Sequence, residues 1–155
     1  MDNIYASPNS DVSPAESDIT YSGFWIRVLA ALLDSIWLLL LTFTLGWMVY
    51  GAVYFESAEF SQGTADIFIS WVLPFALTIM FWHFKSATPG KMILGIKIVD
   101  ANTMGKASPG KLLIRYLGYY ISMIPLCLGI FWVGWDKRKQ GWHDKIAGTL
   151  VIKEK

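Results

Sequence analysis

Charge is scarce in this chain: of 155 residues, 16% are Asp, Glu, Lys or Arg while 54% are hydrophobic, and the formal net charge is only +1. Water-soluble domains carry about a quarter charged residues, so this balance points to an integral membrane protein. So small a net charge leaves no electrostatic footprint for nucleic acid, and no nucleic-acid partner is expected. Cysteine is nearly missing as well, and the single Cys127 excludes an internal disulfide or a Cys-rich metal site. Residues 1–22 contain no Lys or Arg but hold Asp2, Asp11, Glu16 and Asp18, which excludes the basic start of a cleavable signal peptide. With Pro8 and Pro14 and scattered serines, this stretch reads as a disordered acidic tail ahead of one membrane domain over residues 23–153. No Ser, Cys or Thr stands with a base at a nucleophile's spacing, and no carboxylates are paired as for hydrolysis. An enzyme is not expected, and neither is a cofactor or a resident metal.

What is abundant is apolar and aromatic. The run from Phe24 to Tyr50 is almost continuously apolar and exceeds the ~20 residues a helix needs to cross the hydrocarbon. Trp25 marks one boundary and Trp47, Tyr50 and Tyr54 the other, as expected of aromatic rings at the two interfaces. A second span is expected from about Ile67 to Phe84, with a kink at Pro74, whose ring removes one donor and frees the carbonyl of Ser70. Residues 51–66 hold Glu56, Glu59 and Asp66 and no basic residue, whereas 85–111 hold Lys85, Lys91, Lys97, Lys106 and Lys111. The excess of lysine places the 85–111 loop and the N-terminus on the cytoplasmic side of a multi-pass protein of the cell membrane.

A third apolar stretch, about Leu112 to Trp135, is long enough to span but is interrupted by Pro125, Gly129 and Gly134. A full crossing would leave Lys137, Arg138, Lys139, Lys145 and Lys153 outside, against the charge rule; a re-entrant hairpin bent near Pro125 avoids this. Ile96 to Asp100 and Thr149 to Lys153 read as short strands, and Asn102 to Gly105 as a turn able to fold the first into a hairpin. If the two strands pair, both ends of the third stretch lie on one side. The fold class expected is therefore an all-α membrane protein with two spanning helices, a third apolar helix or re-entrant hairpin, and a small cytoplasmic β element.

The first helix carries Arg27 and Asp34, seven residues apart. At ~100° per residue they fall within about 20° of each other around the axis and ~10 Å apart along it, sharing a face without touching. Arg27 can serve as a snorkelling anchor. A carboxylate inside a bilayer costs on the order of 3 kcal/mol, so Asp34 requires protein, water or a cation beside it. Two roles stand open: a structural partner held by Arg115, a lysine or a hydroxyl, or a site that exchanges protons or cations.

The blocks GFWIRVLAALLD, SATPGKMILGIKIVDANTMGKAS and RYLGYYISMIPLCLGIFWVGWDKRKQGWHDKIAGTLVI resemble, in order and spacing, the RDD family of small membrane proteins, named for one arginine and two aspartates. The resemblance places the arginine at Arg27, the first aspartate at Asp34 and the second at Asp144, with Asp136 as competitor. It also implies transport, cation/proton exchange having been associated with some members. On that basis Arg27, Asp34 and Asp144 are expected to form one charge-compensated cluster at the cytoplasmic interface. Monovalent cations and protons would be the ligands. Two or three spans enclose little volume, so a homo-oligomer embedded in the lipid bilayer is expected; the alternative is a non-transporting scaffold or accessory subunit binding protein partners or anionic lipid.

Other candidates have duller readings beside them. His143, next to Asp144, could relay protons, but a loop in which Asp144 caps a short helix or pairs with Arg115 or Arg27 accounts for the motif more simply. His83, beside Lys85 at the end of the second span, reads first as an interfacial residue and secondly as a relay. Thr88 to Lys91 holds a fragment of a phosphate-loop pattern without its glycine spacing, and reads as a turn at the membrane exit. Thr42 with Gly46, and Gly118 with Ser122, have the small-xxx-small spacing of helix contacts.

Overall fold

A computed structural model describes residues 19–56 and 63–154 of the chain. Most of the acidic tail, Glu59 of the acidic loop, and Lys155 lie outside the described residues. Helix α1 (Phe24–Tyr50) is the first apolar run. After a short α2 (Val53–Glu56), the second run is helical through α3 (Thr64–Ile67), a π-helical turn at Phe68–Val72 and α4 (Leu73–Lys85). Instead of a bare kink at Pro74, the helix widens to π hydrogen bonding in the turn before it. That turn accommodates the missing donor, a common use of a π-bulge. Two helical stretches, Phe24–Tyr50 and Thr64–Ile93, are long and apolar enough to cross a membrane. Along them Trp25, Leu32, Leu40, Met48, Phe68 and Trp71 are exposed, which is the side-chain distribution of helices that face lipid.

The helix α4 stops at Ser86, which takes the left-handed conformation (φ 55°) and donates its N–H to Trp82 O at 3.0 Å. A five-residue helix α5 (Pro89–Ile93) follows and leads into strand β1 (Ile96–Asp100). The chain then runs through α6 (Pro109–Met123), α7 (Leu128–Phe131), a 3-10 turn at Trp132–Gly134 and α8 (Trp142–Ala147) into β2 (Thr149–Lys153). β1 and β2 pair antiparallel, Ile96 opposite Lys153 and Asp100 opposite Thr149. The turn at 101–105 does form, with Asp100 N–H on Gly105 O at 2.9 Å, but it leads into α6, and the ladder partner of β1 is the distant β2.

Thr20 to Ser22, assigned by the sequence to a disordered tail, lie in order against the sheet. Tyr21 bridges to Ile152, Ser22 N–H bonds Val151 O and Lys153 N–H bonds Thr20 O, each at 2.9 Å. A two-stranded sheet leaves the outer edge of β2 with unpaired donors and acceptors, and Thr20 to Ser22 satisfy them.

The third apolar stretch is bent by 115° between Pro109–Met123 and Leu128–Gly134. Leu126 and Cys127, both at positive φ, carry the reversal after Pro125. The returning limb packs back on α6: a Cβ on Gly129 would lie 2.7 Å from Ser122 Cα, and one on Gly118 would lie 2.9 Å from His143 Cα. Gly118 and Ser122 are thus a contact face, although the partner is the chain's own return rather than another span; Gly46 likewise lies under the ring of Tyr54. Because the strands flanking this stretch are hydrogen-bonded to each other, both of its ends emerge beside the sheet. The buried core lies there too, with Ala30, Trp82, Ile96, Ile98, Leu112 and Val151 in contact.

Single cysteines replacing Lys106 and Glu154 in a Cys127→Ser background should be labelled by a membrane-impermeant maleimide from the same side of sealed vesicles. Labelling from opposite sides would remove the hairpin.

Candidate functional site

Two polar centres adjoin at the sheet end. The first is built around Asp144, which lies at the third position of α8 and is fully buried. Its Oδ2 accepts from Gly141 N–H at 3.0 Å, so the carboxylate reaches back to close the first turn of its own helix. The same oxygen receives Arg27 Nη1 at 2.5 Å, while Oδ1 is bonded by Arg115 Nη1. Burial opposes the charge of Asp144, yet the Arg115 and Arg27 guanidiniums outweigh it and hold the carboxyl well below the ordinary carboxylate range.

Each arginine is itself fixed from several elements. Arg27 also donates to Ser22 O at 3.0 Å and to Lys139 O at 2.5 Å, tying α1 to the N-terminal edge and to the loop before α8. Arg115 donates to Thr149 Oγ1 at 2.7 Å and lies over the rings of Trp82 and Tyr119, at 5.5 and 5.7 Å from their centroids. Its Nε is buried without an acceptor. His143 stacks on Tyr119 with centroids 3.9 Å apart, and its backbone N–H bonds Ser122 Oγ at 3.1 Å. Burial lowers the His143 pKa to about 3, and the arginines and Lys91 add to that against the pull of Asp144, so the ring is neutral at physiological pH.

The second centre is Asp34. It does not reach Arg27 or Asp144, so the single cluster expected from the three family positions is instead two sites side by side. Asp34 accepts Gly90 N–H at 2.7 Å, the Thr88 hydroxyl, and Trp37 Nε1 at 3.2 Å, with Lys91 Nζ 4.0 Å away. Its partners are a hydroxyl and a lysine, as one open reading allowed, and Arg115 is not among them. The carboxylate faces the first turn of α5, where free amide donors and the positive end of the helix favour an anion. Close approach requires glycine at position 90, since a Cβ there would lie 2.4 Å from Ala30 O and 2.9 Å from Asp34 Oδ1. The Thr-Pro-Gly-Lys segment is therefore more than a turn. Thr88 as N-cap and Pro89 at the first helical position were a legible helix start whose amide donors needed an acceptor.

Asp34 lines a cavity of about 340 Å³ shared with Ser35, Thr78, Thr88, Lys91 and Tyr116. Asp136 belongs to neither centre: it caps the loop by accepting from Arg138 and Gln140 N–H at 3.0 and 3.1 Å, and it pairs with Lys145. Burial notwithstanding, the Lys145 ammonium and those amides hold its carboxyl below the usual range. His83 lies apart from both centres, edge-on to Phe84 at 4.9 Å. Lys91, not singled out by the sequence, stands between the two centres: it is buried and donates to Thr88 Oγ1 at 3.2 Å, with its ammonium 5.8 Å from the Trp82 centroid.

Two apolar helices of spanning length, a bent apolar pair and a two-stranded sheet define a small polytopic α-helical membrane protein. The sequence profile described as the RDD family matches residues 21–148, and the chain belongs to that family. The uncharacterized membrane protein YteJ of Bacillus subtilis (strain 168) is 30% identical over 160 residues, covering 95% of this chain and 92% of the relative. The uncharacterized protein YxaI of the same organism is 28% identical over 84% of this chain and 96% of its own length. A shorter match, 44% identical over 75 residues, covers 48% of this chain and 41% of an uncharacterized protein of Rickettsia prowazekii (strain Madrid E). No solved structure matches the chain.

The fold depends measurably on these contacts. Gly90→Ala should separate α5 from α1 at an overpacking cost of about 1–3 kcal/mol, read as a lower melting temperature in detergent. His143, whose folded pKa lies below its unfolded value near 6.5, and Asp144, whose folded pKa lies below about 3.9, both leave the unfolded state binding more protons as pH falls. Stability should therefore decline from about pH 6.5 downward, at up to about 1.4 kcal/mol per pH unit and per group, and more steeply below about pH 4. In His143→Phe the decline between pH 6.5 and 4 should flatten while the acid limb persists; an unchanged profile would show that the histidine titrates freely.

Proposed function

We propose that this chain is a membrane transport protein, with monovalent cation/proton antiport as its activity and Asp34 as the carboxylate that exchanges partners. The observation that carries this reading is the place of Asp34: on a helix of spanning length, beside a cavity of about 340 Å³, with Lys91 Nζ at 4.0 Å. A cation entering the cavity competes with the Lys91 ammonium for the carboxylate, and the Ser35, Thr78 and Thr88 hydroxyls supply oxygen ligands around it. A lysine that loses its carboxylate partner in a low-dielectric site releases a proton more readily, which couples cation entry to proton exit. Arg27 acts at a distance, by holding α1 against Asp144, which we take as the family's second aspartate because it is the one in contact with Arg27.

In this reading the sheet end is cytoplasmic, in keeping with the lysines of residues 85–111. The protein acts as a homo-oligomer in the cell membrane and has no enzymatic role. A scaffold or accessory role is the second reading, favoured by the complete protein ligation of Asp144 by two arginines and an amide.

Purified protein in proteoliposomes should show cation-dependent dissipation of a pH gradient beyond that of empty vesicles. Asp34→Asn should reduce it more than about tenfold, corresponding to the loss of at least about 1.4 kcal/mol of interaction. Wild-type flux no greater than that of empty vesicles excludes transport. Full flux in a folded Asp34→Asn protein leaves transport standing but removes Asp34 from it.

A further inference from the structure

A second cavity, of about 250 Å³, lies on the other side of Lys91 from the Asp34 cavity. Three cations line it, Arg27, Lys91 and Arg115, and no carboxylate does. Arg115 is wholly buried, and its Nε has no acceptor. Across both centres, the carboxylates of Asp34 and Asp144 balance only two of these three cations, and the neutral His143 adds no charge. Three basic groups thus face two carboxylates in a buried setting, and an added anion completes the pairing.

The rest of the lining is mostly apolar, with Phe24, Val28, Ile130 and Val133 beside the rings of Tyr119 and His143. Phe24 also borders a neighbouring cleft of about 420 Å³ formed with Trp25, Phe131 and Trp135, of which the two tryptophans are widely exposed. Cations within and aromatic rings at the margin suit an anion carried on an apolar body, at the depth where interfacial aromatics meet lipid headgroups.

We infer that the cavity lined by Arg27, Lys91 and Arg115 is a binding site for a singly charged phosphate group, supplied by the phosphodiester headgroup of an anionic phospholipid. The anion pairs with the basic group in excess and accepts from Arg115 Nε and from Lys91, while its apolar part lies along the aromatic cleft. The site shares Lys91 with the Asp34 cavity, but its occupancy is read as bound lipid and needs no flux.

The test is native mass spectrometry of the full chain purified in detergent, titrated separately with phosphatidylglycerol, phosphatidylcholine and inorganic phosphate. One phosphatidylglycerol should be retained at least about tenfold more tightly than phosphatidylcholine, whose phosphodiester carries a choline cation that the three basic groups repel. That preference should be lost in Lys91→Gln, and also in Val28→Phe, which fills this cavity and not the Asp34 cavity and changes no charge. It should persist in Lys106→Gln, which removes an equal charge from the exposed loop. Saturable binding of inorganic phosphate, sensitive to the same two substitutions but without the lipid preference, upholds the anion site with a free phosphate as its ligand. Equal retention of both lipids with no phosphate binding overturns the proposal, as does an equal loss in Lys106→Gln. Should Lys91→Gln fail to fold, Val28→Phe still decides between cavity and surface.

Discussion

The buried carboxylate of Asp144 is the constraint around which the sheet end is arranged. An ionised group with no solvent around it is tolerated only when its neighbours replace the lost hydration, and here Arg27, Arg115 and the Gly141 amide do so together. Those partners come from α1, α6 and the start of α8. One carboxylate therefore sets the relation between the first span, the bent apolar pair and the segment that returns to the sheet. The requirement runs both ways, since Arg115 is as deeply buried as its partner and is further held by Thr149 on β2 and by two aromatic rings.

Asp34 applies the same principle to another pair of elements. Its carboxylate takes the place of solvent at the first turn of α5, and the glycine at position 90 lets the two backbones come close enough for the bond to form. The two aspartates fasten the first span at separate points along one face, which the ~10 Å of rise between Arg27 and Asp34 makes possible. Lys91 lies where the two attachments meet and lines both cavities: one holds the Asp34 carboxylate and hydroxyls, the other Arg27 and Arg115 with no carboxylate.

Much of the architecture could be read from residue order. The first span, both strands and the bent third stretch carry strong local signals: an unbroken apolar run, short β-branched segments, and a proline with two glycines inside an otherwise spanning length. Pro74 was also legible as a perturbation, though whether its freed carbonyl produced a kink or a π turn depends on how neighbouring turns relax. The edge contact of Thr20 to Ser22 was not legible, because nothing in a polar serine- and threonine-containing stretch announces that a distant strand has an open edge. The candidate residues fared unevenly for the same reason. Arg27, Asp34, Asp144 and Arg115 stood out as charges that needed explanation, whereas Lys91 looked like one basic residue of a loop.

By itself the sequence determined that two helices cross an apolar medium, that charge is confined to few places, and that each intramembrane charge must have a partner. These follow from solvation, which acts on each residue type wherever it lies. Only the tertiary structure decided which partner each charge has: Arg115 with Asp144 and not Asp34, Asp136 with Lys145 and not Arg27, and Asp34 with the amide end of a five-residue helix. Pairing depends on distances of a few ångströms between groups far apart in sequence. Those distances are set by strand register and by the close contacts that glycine permits, neither of which local composition encodes.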